Sequence, residues 1–224
     1  MIQMTIIGAE WGCFMFGDGA LTFREFAMRE PVPLATIHDA VLEFLRGRDD
    51  AAVFGAQAVN AYVDQPRMTQ DVDILSTRAA ELAEELRFVL NERFGIAVHI
   101  RNVAQGAGYR IYQVRKPKNR HLADVRSVEQ MPPCNRFDKV LVLAPAELIS
   151  RKVLSMVSRR NTAKGMTDAA DLRRLLLAFP DLKTEEGEVA DALQAIEAPS
   201  TTLDVWQQLV AQEIMPDEDD EAGY

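Results

Sequence analysis

The sequence predicts an α/β protein of the α+β kind: a small sheet flanked by helices, followed by a C-terminal helical unit. Three observations predict it. Short apolar runs bounded by turn residues recur between residues 51 and 125. Amphipathic stretches of helical length are interleaved with them. After Pro145 only helical periodicity remains.

Residues 1–27 fit no element cleanly. Stretches 2–7 and 13–16 read as short strands and Gly17-Asp18-Gly19 as a turn, so a peripheral hairpin or an N-terminal extension is expected. Met28 would also serve as a start. The apolar N-terminus lacks a basic leading region and is interrupted by Glu10 and Asp18, unlike a signal peptide.

Residues 36–46 are expected to be helical, with Thr36 and Asp39 at capping-box-like spacing and Ile37, Val41, Leu42 and Leu45 as the apolar stripe. Residues 51–54 form an apolar run ending at Gly55 and read as a buried strand. Residues 56–62 read as a short helix and 64–70 as a loop around Pro66. Residues 71–75 are expected to be a strand and 78–93 a helix rich in Ala, Leu and Glu. Stretches 96–101, 109–114 and 122–125 read as further strands. Gly106 and Gly108 mark one turn, Pro117 and Asn119 another. Helices are then expected at 146–159, 167–179, 185–196 and 202–214, with an acidic, disordered tail at 216–224. The implied organisation is an extension (1–27), an α/β domain (28–144), a helical unit (145–215) and the tail.

Composition narrows the class. Of 224 residues, 48% are hydrophobic and 26% charged, as in ordinary soluble proteins. No apolar run approaches the roughly 18 residues of a membrane span, so no membrane partner is expected. Two cysteines, Cys13 and Cys134, make neither a disulfide framework nor a zinc cluster, and a reducing cytoplasm is the simplest reading. The net charge of −9 is unevenly spread. Residues 101–174 hold 16 Lys/Arg against 6 Asp/Glu, a balance of +10. Residues 1–100 stand at −7 and residues 175–224 at −12. The basic middle suits an anionic ligand such as a triphosphate or an RNA backbone; alternatively the acidic C-terminal region neutralises it within the fold.

Three features carry chemistry. Gly55-Ala56 joins a strand to a helix, where free N–H groups favour an anion. Asp71-Val72-Asp73-Ile74 puts two carboxylates on one strand face and two apolar side chains on the other. Paired carboxylates repel unless a cation or proton intervenes, and Mg²⁺ with substrate phosphates is one resolution. Asp124, in the apolar stretch Leu122-Ala123-Asp124-Val125, is a candidate third carboxylate, or else a partner for a nearby arginine.

The stretch Gly55-Ala56-Gln57-Ala58-Val59-Asn60-Ala61-Tyr62, followed by Pro66-Arg67-Met68-Thr69-Gln70-Asp71-Val72-Asp73-Ile74, resembles the minimal nucleotidyltransferases. It looks most like the AbiEii/AbiGii-type toxin family and its bacterial relatives. Lys152, Arg159, Thr167-Asp168 and Asp171-Leu172 are similar to that family's later Lys…Arg…(Lys/Arg)-Asp-x-x-Asp-Leu signature. The likeness covers about residues 51–180.

The resemblance implies a nucleotidyltransferase fold with a mixed sheet. It also implies transfer of an NMP from an NTP to a hydroxyl-bearing acceptor. Asp71, Asp73 and Asp124 would hold two Mg²⁺ ions. Gly55, Ala56, Arg67, Thr69, Lys152 and Lys164 would contact the nucleotide, and Lys152 and Asp168 would join the catalytic set. In toxin relatives the acceptor can be tRNA and the partner an antitoxin protein; a protein or small-molecule acceptor is the other option. Two departures stand out. Ala56 replaces a Gly or Ser, and Thr167 replaces a basic residue for which Lys164 is a possible substitute. They keep a second reading in view, a catalytically silent nucleotide- or partner-binding module.

Overall fold

The computed structural model describes residues 32–103 and 107–215. The expected N-terminal hairpin or extension, the turn at Gly106 and the acidic tail lie outside the described residues.

The first helix, α1 (Leu34–Leu45), starts earlier than the capping-box spacing suggested. Pro33 stands at its N-cap, and its fixed φ lets the helix begin before Thr36, which falls inside the first turns and caps nothing. Strand β1 (Ala51–Phe54) follows, then α2 (Gly55–Asn60), β2 (Val72–Ser76) and α3 (Ala79–Phe94). Gly95, in the left-handed region at φ 60°, ends α3. Strands β3 (Val98–Val103), β4 (Gly108–Gln113) and β5 (Arg120–Ser127) come next, β5 being twice the length expected.

Two strands were not anticipated, β6 (Cys134–Phe137) and β7 (Val140–Leu143). They form a hairpin in which Phe137 pairs with Val140. Its two-residue turn is Asp138-Lys139, both at positive φ (45° and 69°). Such a turn matches the strand twist but usually announces itself by Asn-Gly or Asp-Gly. Without a glycine, the hairpin has no visible sequence signal.

Among the described residues the sheet has seven strands in the order β3-β4-β5-β2-β1-β7-β6. It is mixed: β2 with β5 and β1 with β7 are parallel, and the remaining pairs are antiparallel. Helix α3 lies against β3, β4 and β5, with α1 alongside it. Helix α2 packs on β1 and β2 and touches the helical unit.

That unit comprises α4 (Pro145–Ser158), α5 (Ala163–Ala178), a 3₁₀ turn (Pro180–Leu182), α6 (Glu188–Ala195) and α7 (Ser200–Ala211). Helix α5 begins a turn before Thr167, because the Thr162 hydroxyl caps it by accepting from the Gly165 N–H at 3.1 Å. A Cβ on Gly165 would overlap the Arg159 carbonyl oxygen, so glycine permits the tight α4–α5 approach. Helix α4 is the hub, packing on α5, α6 and α7. Leu148, Ile149 and Val153 of α4 belong to the same buried apolar cluster as the sheet residues Val72, Ile74 and Val125. No helix among the described residues is long and apolar enough to cross a membrane.

Candidate active site

Strand alternation sets the first part of the site. Val72 and Ile74 are fully buried, as are Ala123 and Val125 opposite them on β5. The intervening residues therefore face the other way, and the parallel register sets Asp73 directly beside Asp124. Asp71 lies just before β2, on the same side as Asp73 by alternation.

Gly55 determines how close Asp73 lies to the turn. It follows β1 at φ +69°, a conformation L side chains resist. A Cβ there would overlap the Asp73 carboxylate, with Asp73 Cγ at 2.8 Å. The six-residue α2 that begins at Gly55 has no side-chain cap, and Ala56 is its second residue.

His121 was not anticipated as a site residue. Simple alternation puts residues 121 and 124 on opposite faces of a strand. Here Ile111 pairs with Ala123 and the next residue, Tyr112, with His121, so Leu122 is an extra residue on β5. That bulge brings His121 to the side of Asp124. The ring then spans two carboxylates: Nδ1 lies 2.9 Å from Asp71 Oδ2, and Nε2 lies 3.1 Å from Asp124 Oδ1. Tyr112 packs on the imidazole at a centroid distance of 4.9 Å. Among the described residues, Asp71, His121 and Asp124 form a group whose potential ligand atoms all lie within 4.8 Å of one another. Asp73 stands beside that group, not within it.

The electrostatics follow from this geometry. Hydrogen bonds to Asp124 and Asp71 raise His121 to about 9. The hydrogen bond from His121 holds the Asp71 carboxyl below its usual range. Asp73 goes the other way, to about 6, because it is buried and sits beside the Asp71 charge. Arg110 Nε adds a cation 3.2 Å from Asp124 Oδ1, the oxygen that also faces His121.

Lys152, Arg67 and Asp168 meet in a second cluster around Asp171. Lys152 Nζ, on α4, donates to Asp168 Oδ1 at 2.9 Å and to Asp171 Oδ2 at 2.7 Å, both on α5. Arg67 Nε and Nη2 each donate to Asp171 at 2.8 Å, one to either oxygen. Asp168 also accepts from Ser155 Oγ at 2.8 Å. Lys152 and Asp168 are 7% exposed and Asp171 is 0% exposed, so these charges are compensated inside the fold. Burial disfavours the Asp171 carboxylate, but the bonds from Arg67 and Lys152 outweigh it and lower its pKa. The Arg67 and Lys152 hydrogen bonds thus brace the 64–70 loop and α4 against α5, while the Lys152 charge also reaches Asp73 and the Arg67 charge Asp71.

Lys164, in the first turn of α5, is exposed and its charge reaches Asp71. Thr167 is exposed and donates to the Ala163 carbonyl at 3.1 Å. Thr69 is half-buried in the loop before Asp71.

A scan against protein-family models finds no match, and a search of the curated proteins finds none. Solved structures do resemble the chain. The Megavirus polyadenylate synthase superposes with a TM-score of 0.52 at 14% identity, covering 69% of this chain and 34% of the synthase. The chain thus spans about a third of the synthase's length. Looser superpositions are an antigenic nucleotidyltransferase-like protein from Paracoccidioides brasiliensis (TM-score 0.46, 20% identity, 76% and 92% covered) and JHP933 from Helicobacter pylori (TM-score 0.48, 12% identity, 79% and 89% covered). At these identities the likeness is one of fold.

Proposed function

With a nucleotidyltransferase fold as the starting point, we propose that the chain is a metal-dependent nucleotidyltransferase, moving an NMP from an NTP to an acceptor hydroxyl. The observation that carries this is the register that sets Asp73 beside Asp124, against a Gly55 turn that only glycine permits.

The donor set fits a divalent cation. Asp71, Asp124 and His121 converge, and Asp73 next to them has the raised pKa of a buried carboxyl among like charges, which a cation relieves. Bound ions, two Mg²⁺ by the resemblance, would neutralise the triphosphate as the acceptor oxygen bonds to the α-phosphorus and the α–β P–O bond breaks, releasing pyrophosphate.

The protein's own groups supply the rest. The backbone N–H groups of Gly55 and Ala56 would receive phosphate oxygens. Lys164, exposed and close to Asp71, suits contact with the outer phosphates. Asp124 would take the proton of the acceptor hydroxyl at Oδ2, since Oδ1 faces His121 and Arg110. Lys152, Asp168 and Arg67 act as positioning residues through Asp171. Thr69, half-buried in the loop before Asp71, would contact the nucleotide by the resemblance.

The test is label transfer from α-labelled NTPs, with Mg²⁺ or Mn²⁺, to total RNA and to lysate proteins. Transfer that disappears in Asp71→Ala/Asp73→Ala supports the proposal; no transfer to any acceptor sinks it. A finer form is that the chain is an AbiEii/AbiGii-type toxin acting on tRNA or protein and held by an antitoxin. The residue resemblance supports it, and the +10 charge of residues 101–174 favours RNA. A second reading, a silent nucleotide-binding module, is favoured by Ala56, which offers no hydroxyl, and by Thr167, whose hydroxyl is bonded within its own helix. Nucleotide binding without transfer would select it.

A further inference from the structure

Resting on the metal-dependent reading above, we infer that His121 is itself a metal ligand, and that the site takes a first-row transition-metal ion in preference to Mg²⁺.

The first support is the bulge at Leu122. In a regular strand without the bulge His121 would share a face with Ala123, which is fully buried. Bulges beside sites re-aim side chains, and this one aims a nitrogen donor between two carboxylates.

The second support is spacing. One potential ligand atom from each of Asp71, His121 and Asp124 lies within 4.8 Å of the other two, close enough for one ion to draw on the group once His121 gives up one of its two carboxylate bonds. An imidazole ligand is held by one nitrogen on the ion and an N–H from the other to a carboxylate. His121 already faces a carboxylate through each nitrogen. It can surrender either one and keep the other bond. Tyr112 restrains the ring plane throughout.

The third support is donor chemistry. Mg²⁺ is a hard ion that takes oxygen and dehydrates reluctantly. One imidazole with one carboxylate on the ion, the second carboxylate held by the other ring nitrogen, is a mixed N/O set, and an imidazole nitrogen favours first-row transition ions over Mg²⁺. A purely structural His121 would link the strands without touching the ion.

The experiment uses the full chain with Mn²⁺ as the paramagnetic probe and a non-hydrolysable NTP analogue. Pulsed EPR reads nitrogen coupling to the bound ion, with and without ¹⁵N-histidine labelling. The expected result is a histidine coupling that changes on labelling and is lost in His121→Asn, together with Mn²⁺ affinity at least tenfold above Mg²⁺. Labelling the intact protein keeps the test independent of how the variant folds. Bound Mn²⁺ without a histidine coupling, or equal affinity for the two ions, overturns the inference and leaves the proposed function standing. Failure to bind either ion overturns both.

Discussion

The carboxylate of Asp73 occupies the space that a Cβ on residue 55 would fill. The two residues are thus mutually required: Gly55 admits Asp73, and Asp73 excludes every other residue from position 55. Gly55→Ala is expected to cost roughly 1–2 kcal/mol for an L-residue at φ +69°, with about 1–3 kcal/mol more for overpacking. Displacing Asp73 should lower transfer activity by about 10²-fold. An Asp73→Ala background removes the carboxylate overlap but keeps the Asp73 Cβ, 2.9 Å from a Cβ at position 55, so the overpacking is relieved in part. Denaturant titration of the four proteins of this cycle should therefore give a coupling of about 1 kcal/mol or more; strict additivity would refute the contact.

Asp73 itself should trade stability for function. Its folded pKa of about 6 lies above the ordinary 3.8. Ionising it therefore costs stability: the cost is absent below pH 3.8, grows as pH rises, and is complete above about pH 6. Asp73→Asn removes the charge, so at pH 7.5 in chelator it should be more stable than the parent by about 1–2 kcal/mol, while transfer is lost. A variant that is less stable than the parent would argue against the assigned burial penalty.

The cluster around Asp171 should behave as structure. Asp171→Ala leaves Lys152 and Arg67 without their shared acceptor and should cost about 3–5 kcal/mol. Arg67→Lys keeps the charge but loses the bidentate geometry, and should cost about 1 kcal/mol. Because the Asp171 pKa is lowered from 3.8, its contribution is present above that value and lost as pH falls through the folded one. Urea unfolding at neutral pH checks both variants.

His121 gives the alkaline limb. Its folded pKa of about 9 lies above the ordinary 6.5. Its bonds to Asp71 and Asp124 therefore stabilise the metal-free protein fully below pH 6.5 and are lost as pH rises through about 9. In chelator, unfolding free energy should fall by about 1–2 kcal/mol across that window, after the discount for a ring that is 26% exposed. His121→Asn should flatten the profile there. An unchanged profile would show that the ring is neutral in the folded state.

Much of this molecule was legible in advance. Alternation in Asp71-Val72-Asp73-Ile74 foretold the buried Val72 and Ile74 and the shared side of the two carboxylates, because strand periodicity is local. The run 51–54 and its Gly55 stop were likewise local, and the helix of residues 145–158 missed by only a residue. Helix starts were less legible, since Pro33 and Thr162 displaced the starts suggested by Thr36 and Thr167. The β6–β7 hairpin was hidden because its turn lacks glycine.

The site divides along the same line. The identities and order of Gly55, Asp71, Asp73 and Asp124 were readable along the chain, because each rests on its own few neighbours. Pairing β2 with β5, more than forty residues away, is what set Asp73 beside Asp124. One extra residue in β5 turned His121 from the core to the carboxylates, a change no alternation pattern can announce. The packing of α4 on α5 then drew Lys152 and Arg67 onto Asp171, a contact that neither residue's local sequence announces. Local pattern set which residues carry charge; long-range pairing decided which charges face one another.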